Sequence, residues 1–206
     1  MSGAFPISTS KFETLGIKSI QSTIISKSIS GKKLSRTIDS QRWAFTASII
    51  TSNRSTVYGE LMAFIVKQRS GKENFTIIPP EVEDARGSET GSVLVNGNQS
   101  AGDTTIAMDG FAGDGAGRFK MGDFIKFASH TKIYMVVADV TSSSNAATVT
   151  IEPPLVADIA NDSAVTYDNV PFTVHLVNDI QSFGSVGADK DGNLLYKYEL
   201  DVEETL

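Results

Sequence analysis

Ile78-Pro79-Pro80-Glu81-Val82-Glu83-Asp84-Ala85-Arg86-Gly87-Ser88-Glu89-Thr90-Gly91 is the stretch on which the fold turns. Two adjacent prolines carry no backbone N–H and hold φ fixed, so sheet pairing ends there. Residues 81–91 are acidic, contain glycine and are poor in apolar side chains, which is the composition of a linker. The elements before it and after it form two separate sets.

Before the linker, residues 15–30 alternate loosely in Ile, Ser and Thr and predict a strand with one face buried. Gly31-Lys32-Lys33 marks a turn. Residues 35–51 then alternate around Arg42-Trp43-Ala44-Phe45-Thr46-Ala47, with Trp43, Phe45 and Ala47 on one face, so a hairpin is expected. Trp43 and Phe45 are assigned to the core of their own sheet. Over 56–69 the period changes: Val57, Leu61, Phe64 and Ile65 recur at helical spacing, with Ser55 or Thr56 as cap and Lys67 and Arg69 before Gly71. A short strand at Asn74–Ile78 precedes the prolines.

After the linker come Ser92–Asn96, Thr104–Met108, Phe124–Phe127, Lys132–Val140 and Ala147–Glu152, separated by glycine-rich corners including a loop at Gly110–Gly117. About five short strands in this space predict a small barrel of the OB or SH3-like kind. Pro171–Val177 and Leu194–Val202 have no place in that barrel and are expected to complete the first set. The predicted fold is mainly β: a β-sandwich with one helix, interrupted by an inserted OB-like small β-barrel. The divisions are 1–87 plus 169–206 for the discontinuous sandwich and 88–168 for the barrel.

The 206 residues contain 40% hydrophobic side chains, enough for real cores. With 18 basic against 24 acidic residues the net charge is −6, which gives no general attraction to nucleic acid or anionic membrane. Neither is expected as a partner. Cysteine is absent, excluding disulfides, thiolate metal sites and cysteine nucleophiles. The apolar runs are too short to span a bilayer, and residues 1–15 lack the pattern of a signal peptide, so synthesis in a cytoplasm without membrane insertion is expected.

Chemistry-bearing motifs are sparse. His130 and His175, the two histidines, lie far apart in the chain and have no zinc-ligand spacing. Gly113-Asp114-Gly115-Ala116-Gly117 has the glycines of a phosphate loop, yet it leads to Arg118-Phe119-Lys120 and a strand instead of a helix. Asp189-Lys190-Asp191-Gly192-Asn193 lacks the terminal glutamate and flanking helices of a calcium loop and is better read as a hairpin turn. Ser182-Phe183-Gly184-Ser185 is not a nucleophile elbow. The acids Glu81, Glu83 and Asp84 are assigned to solvent. No catalytic, metal or cofactor site is expected, and no enzyme activity.

One set of residues goes further. Gly122-Asp123-Phe124-Ile125-Lys126-Phe127, then Ser129-His130-x-Lys132-Ile133-Tyr134, the Ser-Ser-x-Asn turn and Ile151-x-Pro153-x-Leu155 resemble the inserted barrel of the distal tail proteins of siphophages, those of the T-five-type coliphages most. Asp168-Asn169-Val170-Pro171-Phe172, Asp179-x-x-Ser182-Phe183-Gly184-Ser185 and Gly192 continue the resemblance to Glu203-Glu204-Thr205-Leu206. The N-terminal half follows the same family in layout: Arg42-Trp43, a helix over Tyr58–Lys67, Gly71 and Pro79.

The resemblance implies a structural virion protein of the phage tail tip, or baseplate. Its copies would form a homo-oligomeric ring, a hexamer in the family, between the tail tube and the tail hub proteins. A ring needs exposed strand edges or hairpins, and the implied interface lies on the 15–50 hairpin and the C-terminal strand, at Ile24, Ile25, Ile29, Leu34, Ile38 and Tyr198. An OB-like barrel also suggests an alternative, a carbohydrate-binding module for host-surface polysaccharide, with Phe124, Phe127 and Tyr134 as its candidate ligand face.

Overall fold

The computed structural model describes residues 3–206. Its first elements are the strands β1 (Phe12–Ile20), β2 (Thr23–Lys27), β3 (Lys33–Thr37) and β4 (Arg42–Asn53). β1 pairs antiparallel with β4, from Leu15 opposite Ala47 to Ile20 opposite Arg42. Among the described residues β2 pairs only with β3. The expected hairpin is therefore one long ribbon interrupted at 21–22 and 38–41, with a free-standing far end. Its tip closes through Gly31, where φ is +80° and the N–H donates to the Ser28 carbonyl at 2.9 Å.

Helix α1 (Gly59–Lys67) follows a turn over Arg54–Tyr58. Asn53, and not Ser55 or Thr56, caps this segment: its Oδ1 accepts from the Thr56 N–H at 3.1 Å. The cap lies earlier than the sequence suggests because Tyr58, fully buried, draws the turn at 54–58 into the core. Strand β5 (Phe75–Ile77) ends ahead of Pro79-Pro80 as expected.

The middle of the chain holds β6 (Leu94–Val95), β7 (Thr105–Asp109), β8 (Gly115–Ala116), β9 (Phe124–Phe127), β10 (Ile133–Val136), β11 (Thr141–Ser142), β12 (Ala146–Glu152) and β13 (Val165–Thr166). Six of them form one sheet in the order β13-β9-β10-β12-β7-β6. Leu94 bridges Ala164, and the Val95 and Val165 N–H groups donate to the Ser163 and Val93 carbonyls, each at 3.0 Å. These contacts join the two end strands, so the sheet is nearly closed, a six-stranded barrel where about five strands were expected. Val95, Ile106, Met108, Ile125, Phe127, Tyr134, Val136, Val149 and Ile151 fill its core. The Gly110–Gly117 segment is not a free loop: β8 pairs with β11, and the Asn145 N–H donates to Asp114 Oδ1 at 2.8 Å.

The last strands, β14 (Phe172–Leu176), β15 (Ser185–Ala188) and β16 (Leu194–Glu204), return to the first sheet, whose order is β1-β4-β16-β14-β5 with β15 on β16. Here the expected sandwich takes the form of one sheet covered on its apolar face by Leu61 and Ile65 of α1 and by two barrel residues, Phe124 and Ile133. The chain is mainly β with one α-helix and a barrel-like sheet between β5 and β14, as the sequence predicts. The 189–193 segment is the hairpin turn expected of it: Asp189 Oδ1 accepts from the Asp191 and Asn193 N–H groups.

The 81–91 stretch is better ordered than a linker. The Ala85 N–H donates to the Tyr167 carbonyl and the Val170 N–H to the Glu83 carbonyl, both at 2.9 Å, so the chain enters and leaves the barrel side by side. Glu89, inside the stretch expected to be a linker, is buried and accepts from the Thr90, Gly91 and Ala112 N–H groups. Gly87 is there for space, since a Cβ would lie 1.9 Å from the Arg118 carbonyl oxygen. No helix among the described residues is long and apolar enough to cross a membrane.

Candidate assembly surfaces

Every residue of β2 and β3 is exposed. A two-stranded ribbon has no layer beneath it, so its pleat places one set of side chains on each open face. Ile24 pairs with Arg36 and Ser26 with Leu34, and the Ile38 N–H donates to the Ser22 carbonyl at 3.0 Å. Ile24, Leu34 and Ile38 therefore share one face with Arg36. Ile25 lies on the other face with Lys27 and Lys33, and Ile29 stands at the tip. Between 21 and 38 there are four cations, Lys27, Lys32, Lys33 and Arg36, and no acid. None of the four takes part in an ion pair among the described residues.

Tyr198 does not join these residues. It is 2% exposed and stacks on Phe183 at 5.3 Å between ring centroids, while its hydroxyl donates to Gln181. The C-terminal strand as a whole is no edge, because β16 lies between β4 and β14. Its alternation marks a strand, and only the sheet order decides that the strand is central. The edge nearest the ribbon is β1, which pairs with β4 alone.

The candidate ligand face of the barrel is likewise internal. Phe127 and Tyr134 are fully buried in the barrel core. Phe124 faces out of the barrel but packs edge-on against Trp43 at 5.0 Å and Phe172 at 5.6 Å. These aromatics build the barrel and its seat on the first sheet, and no sugar can reach them. The Tyr134 hydroxyl is held by His130 Nδ1 at 2.8 Å and by the Val156 N–H at 3.2 Å, and burial pushes its pKa up to about 12. His130 is thus structural. His175 meets the Thr205 hydroxyl at 3.0 Å. No group of three or more His, Asp or Glu side chains able to hold a metal ion occurs among the described residues.

Sequence reasoning missed the polar knot where the barrel meets the sheet. Glu204, with 0% exposure, forms an ion pair with Lys132, with 1%. The Glu204 carboxylate also accepts from the Trp43 N–H at 3.0 Å and the Ile133 N–H at 2.7 Å. Lys132 Nζ donates to Gln41 Oε1 at 2.9 Å and sits 5.7 Å from the Trp43 ring centroid. The Trp43 indole N–H closes the knot by donating to the Ile133 carbonyl at 3.0 Å. Burial raises the Glu204 pKa and lowers that of Lys132, and the attraction between them opposes both shifts. A buried pair of this kind is held by full satisfaction of its hydrogen bonds and fixes one relative orientation of the parts it joins. The signal in the sequence was faint: Glu204 is one of several acids near the C-terminus, and Lys132 one cation on an alternating strand.

No curated protein matches the chain. Residues 82–170 match the family described as "Distal tail protein pb9, B domain", and that span begins and ends at the paired entry and exit segments of the barrel. Over residues 82–170, the barrel with its entry and exit segments, the chain is thus similar to the B domain of the phage distal tail protein family.

Proposed function

We propose that this protein is a structural, non-enzymatic subunit of a phage tail tip, one copy in a homo-oligomeric ring, hexameric as in the family it resembles, joining the tail tube to the hub. In this reading the chain comprises two units, a discontinuous ring-forming unit at 1–87 plus 169–206 and the barrel at 88–168. The match of the barrel to the distal tail protein B domain supports the tail role, and the exposed apolar ribbon at Ile24, Ile25, Ile29, Leu34 and Ile38 supports assembly. Such a cluster on a free ribbon exposes both apolar side chains and unpaired backbone groups, a state that monomers avoid and interfaces use. The knot at Lys132 and Glu204 would hold every barrel at one angle to its ring.

The purified protein, alone and mixed with the tail tube and hub proteins, is to be run on a sizing column with light scattering and imaged in negative stain. Closed rings of uniform copy number are expected. A chain that stays monomeric at every concentration and binds neither protein would overturn the assignment.

A further inference from the structure

The ribbon needs a receptor, and the same chain exposes a surface of opposite charge. A groove of ≈ 410 Å³ runs between the 178–186 segment, β15 and β16, lined by Ile180, Val186, Lys197, Glu199 and Asp201 among others. Ile180 is 87% and Val186 59% exposed. Lys197 is neutralised by Glu13 at 2.6 Å, leaving Glu199 and Asp201 with the flanking Asp179, none of which forms an ion pair among the described residues. β15 pairs only with β16, so its outer edge is open as well.

We infer that the basic, isoleucine-rich ribbon of one copy docks in the acidic, apolar groove of the next. This rests on the ring reading above and names the two surfaces that would make the ring. The groove lies beside the far end of β4, where Leu195 pairs with Asn53 and Glu199 with Ser48. The ribbon leaves the sheet at the opposite end, at Arg42. It points away from its own groove, so the occupant is a second copy. Ile24, Leu34 and Ile38 meet Ile180 and Val186, while Arg36 on the same face and Lys32 beside the tip face Asp179, Glu199 and Asp201. Two different surfaces of one chain make a head-to-tail contact, which repeats from copy to copy and closes when the rotation allows. Like charges placed across such a contact weaken it steeply.

Charge reversal tests the pairing. One variant carries Lys32→Glu and Arg36→Glu, and the other Asp179→Lys and Glu199→Lys. All four residues are exposed, and unchanged thermal melting of each variant would confirm folding. Each variant alone is expected to assemble at least tenfold more weakly than the unmodified chain, since one reversed contact removes about 1.4 kcal/mol or more. An equimolar mixture should recover assemblies with the two variants alternating, because the ribbon of each now suits the groove of the other. Unmodified chains that assemble while the variants also assemble undiminished, or fail to recover on mixing, refute this pairing and leave the ring reading standing. Unmodified chains that never assemble overturn both.

Discussion

The β2–β3 ribbon and the β9–β10 hairpin are the same local object, two short antiparallel strands of four or five residues each, yet they meet opposite fates. All ten residues of β2 and β3 are exposed, whereas β9 and β10 bury three of every four. The difference lies in what surrounds each hairpin. β9 pairs with β13 and β10 with β12, so the sheet curls and one face becomes a core; Phe124 and Ile133 on the other face land on the first sheet. β2 and β3 pair with no further strand among the described residues. A strand pattern thus states which side chains share a face, and burial is decided by the layer placed over that face.

The sharpest way to break the comparison is to truncate one side chain from each hairpin. Phe127→Ala should cost about 3–5 kcal/mol, since it empties a packed core, while Ile25→Ala should stay within about 0.5 kcal/mol in the monomer. Urea unfolding at low protein concentration reads both, and equal losses would deny the contrast. Lys132→Met comes next. It leaves Glu204 buried without its cation and should destabilise the chain by about 3–5 kcal/mol, loosening the barrel from the sheet. Hydrogen exchange at Ile133 and Trp43 would report that loosening; unchanged protection would show the knot to be unnecessary.

A smaller effect appears on acidification. Glu13, Asp114, Asp139 and Asp189 are held below the ordinary carboxylate range, chiefly by hydrogen bonds from the Lys197 side chain, the Asn145 N–H, the Met121 N–H and the Asn193 side chain respectively. A depressed folded-state pKa means the unfolded chain binds protons first, so these contributions are complete above the ordinary range and are lost as pH falls through the lowered values. All four groups are exposed to solvent screening. The midpoint of urea unfolding should fall gently over that window, and Asp114→Asn should flatten part of the fall.

Much of this was legible in advance because it is local. The prolines at 79 and 80, the period change at 56–69 and the turn chemistry at 189–193 all state their roles within a few residues. The errors concern partners far away in the chain. Tyr198 was misplaced because β16 borders β4 and β14, and Phe124, Phe127 and Tyr134 because the barrel closes and docks. Glu89 falls in the stretch expected to be a linker, yet it is buried, because its donors include Ala112, well beyond that stretch.

By itself the sequence determined a mainly β chain with one helix, strand pairing ended by Pro79 and Pro80, and a set of short strands that builds a barrel. Hydrophobic period, proline and glycine act over one or two turns of backbone, and that reach suffices for these statements. Only the tertiary structure decided that the barrel has six strands joined at its seam, that β16 is central, and that Lys132 and Glu204 lock barrel to sheet. Strand order and burial come from long-range pairing, whose free energy depends on which surfaces exclude water together and on no single stretch of chain.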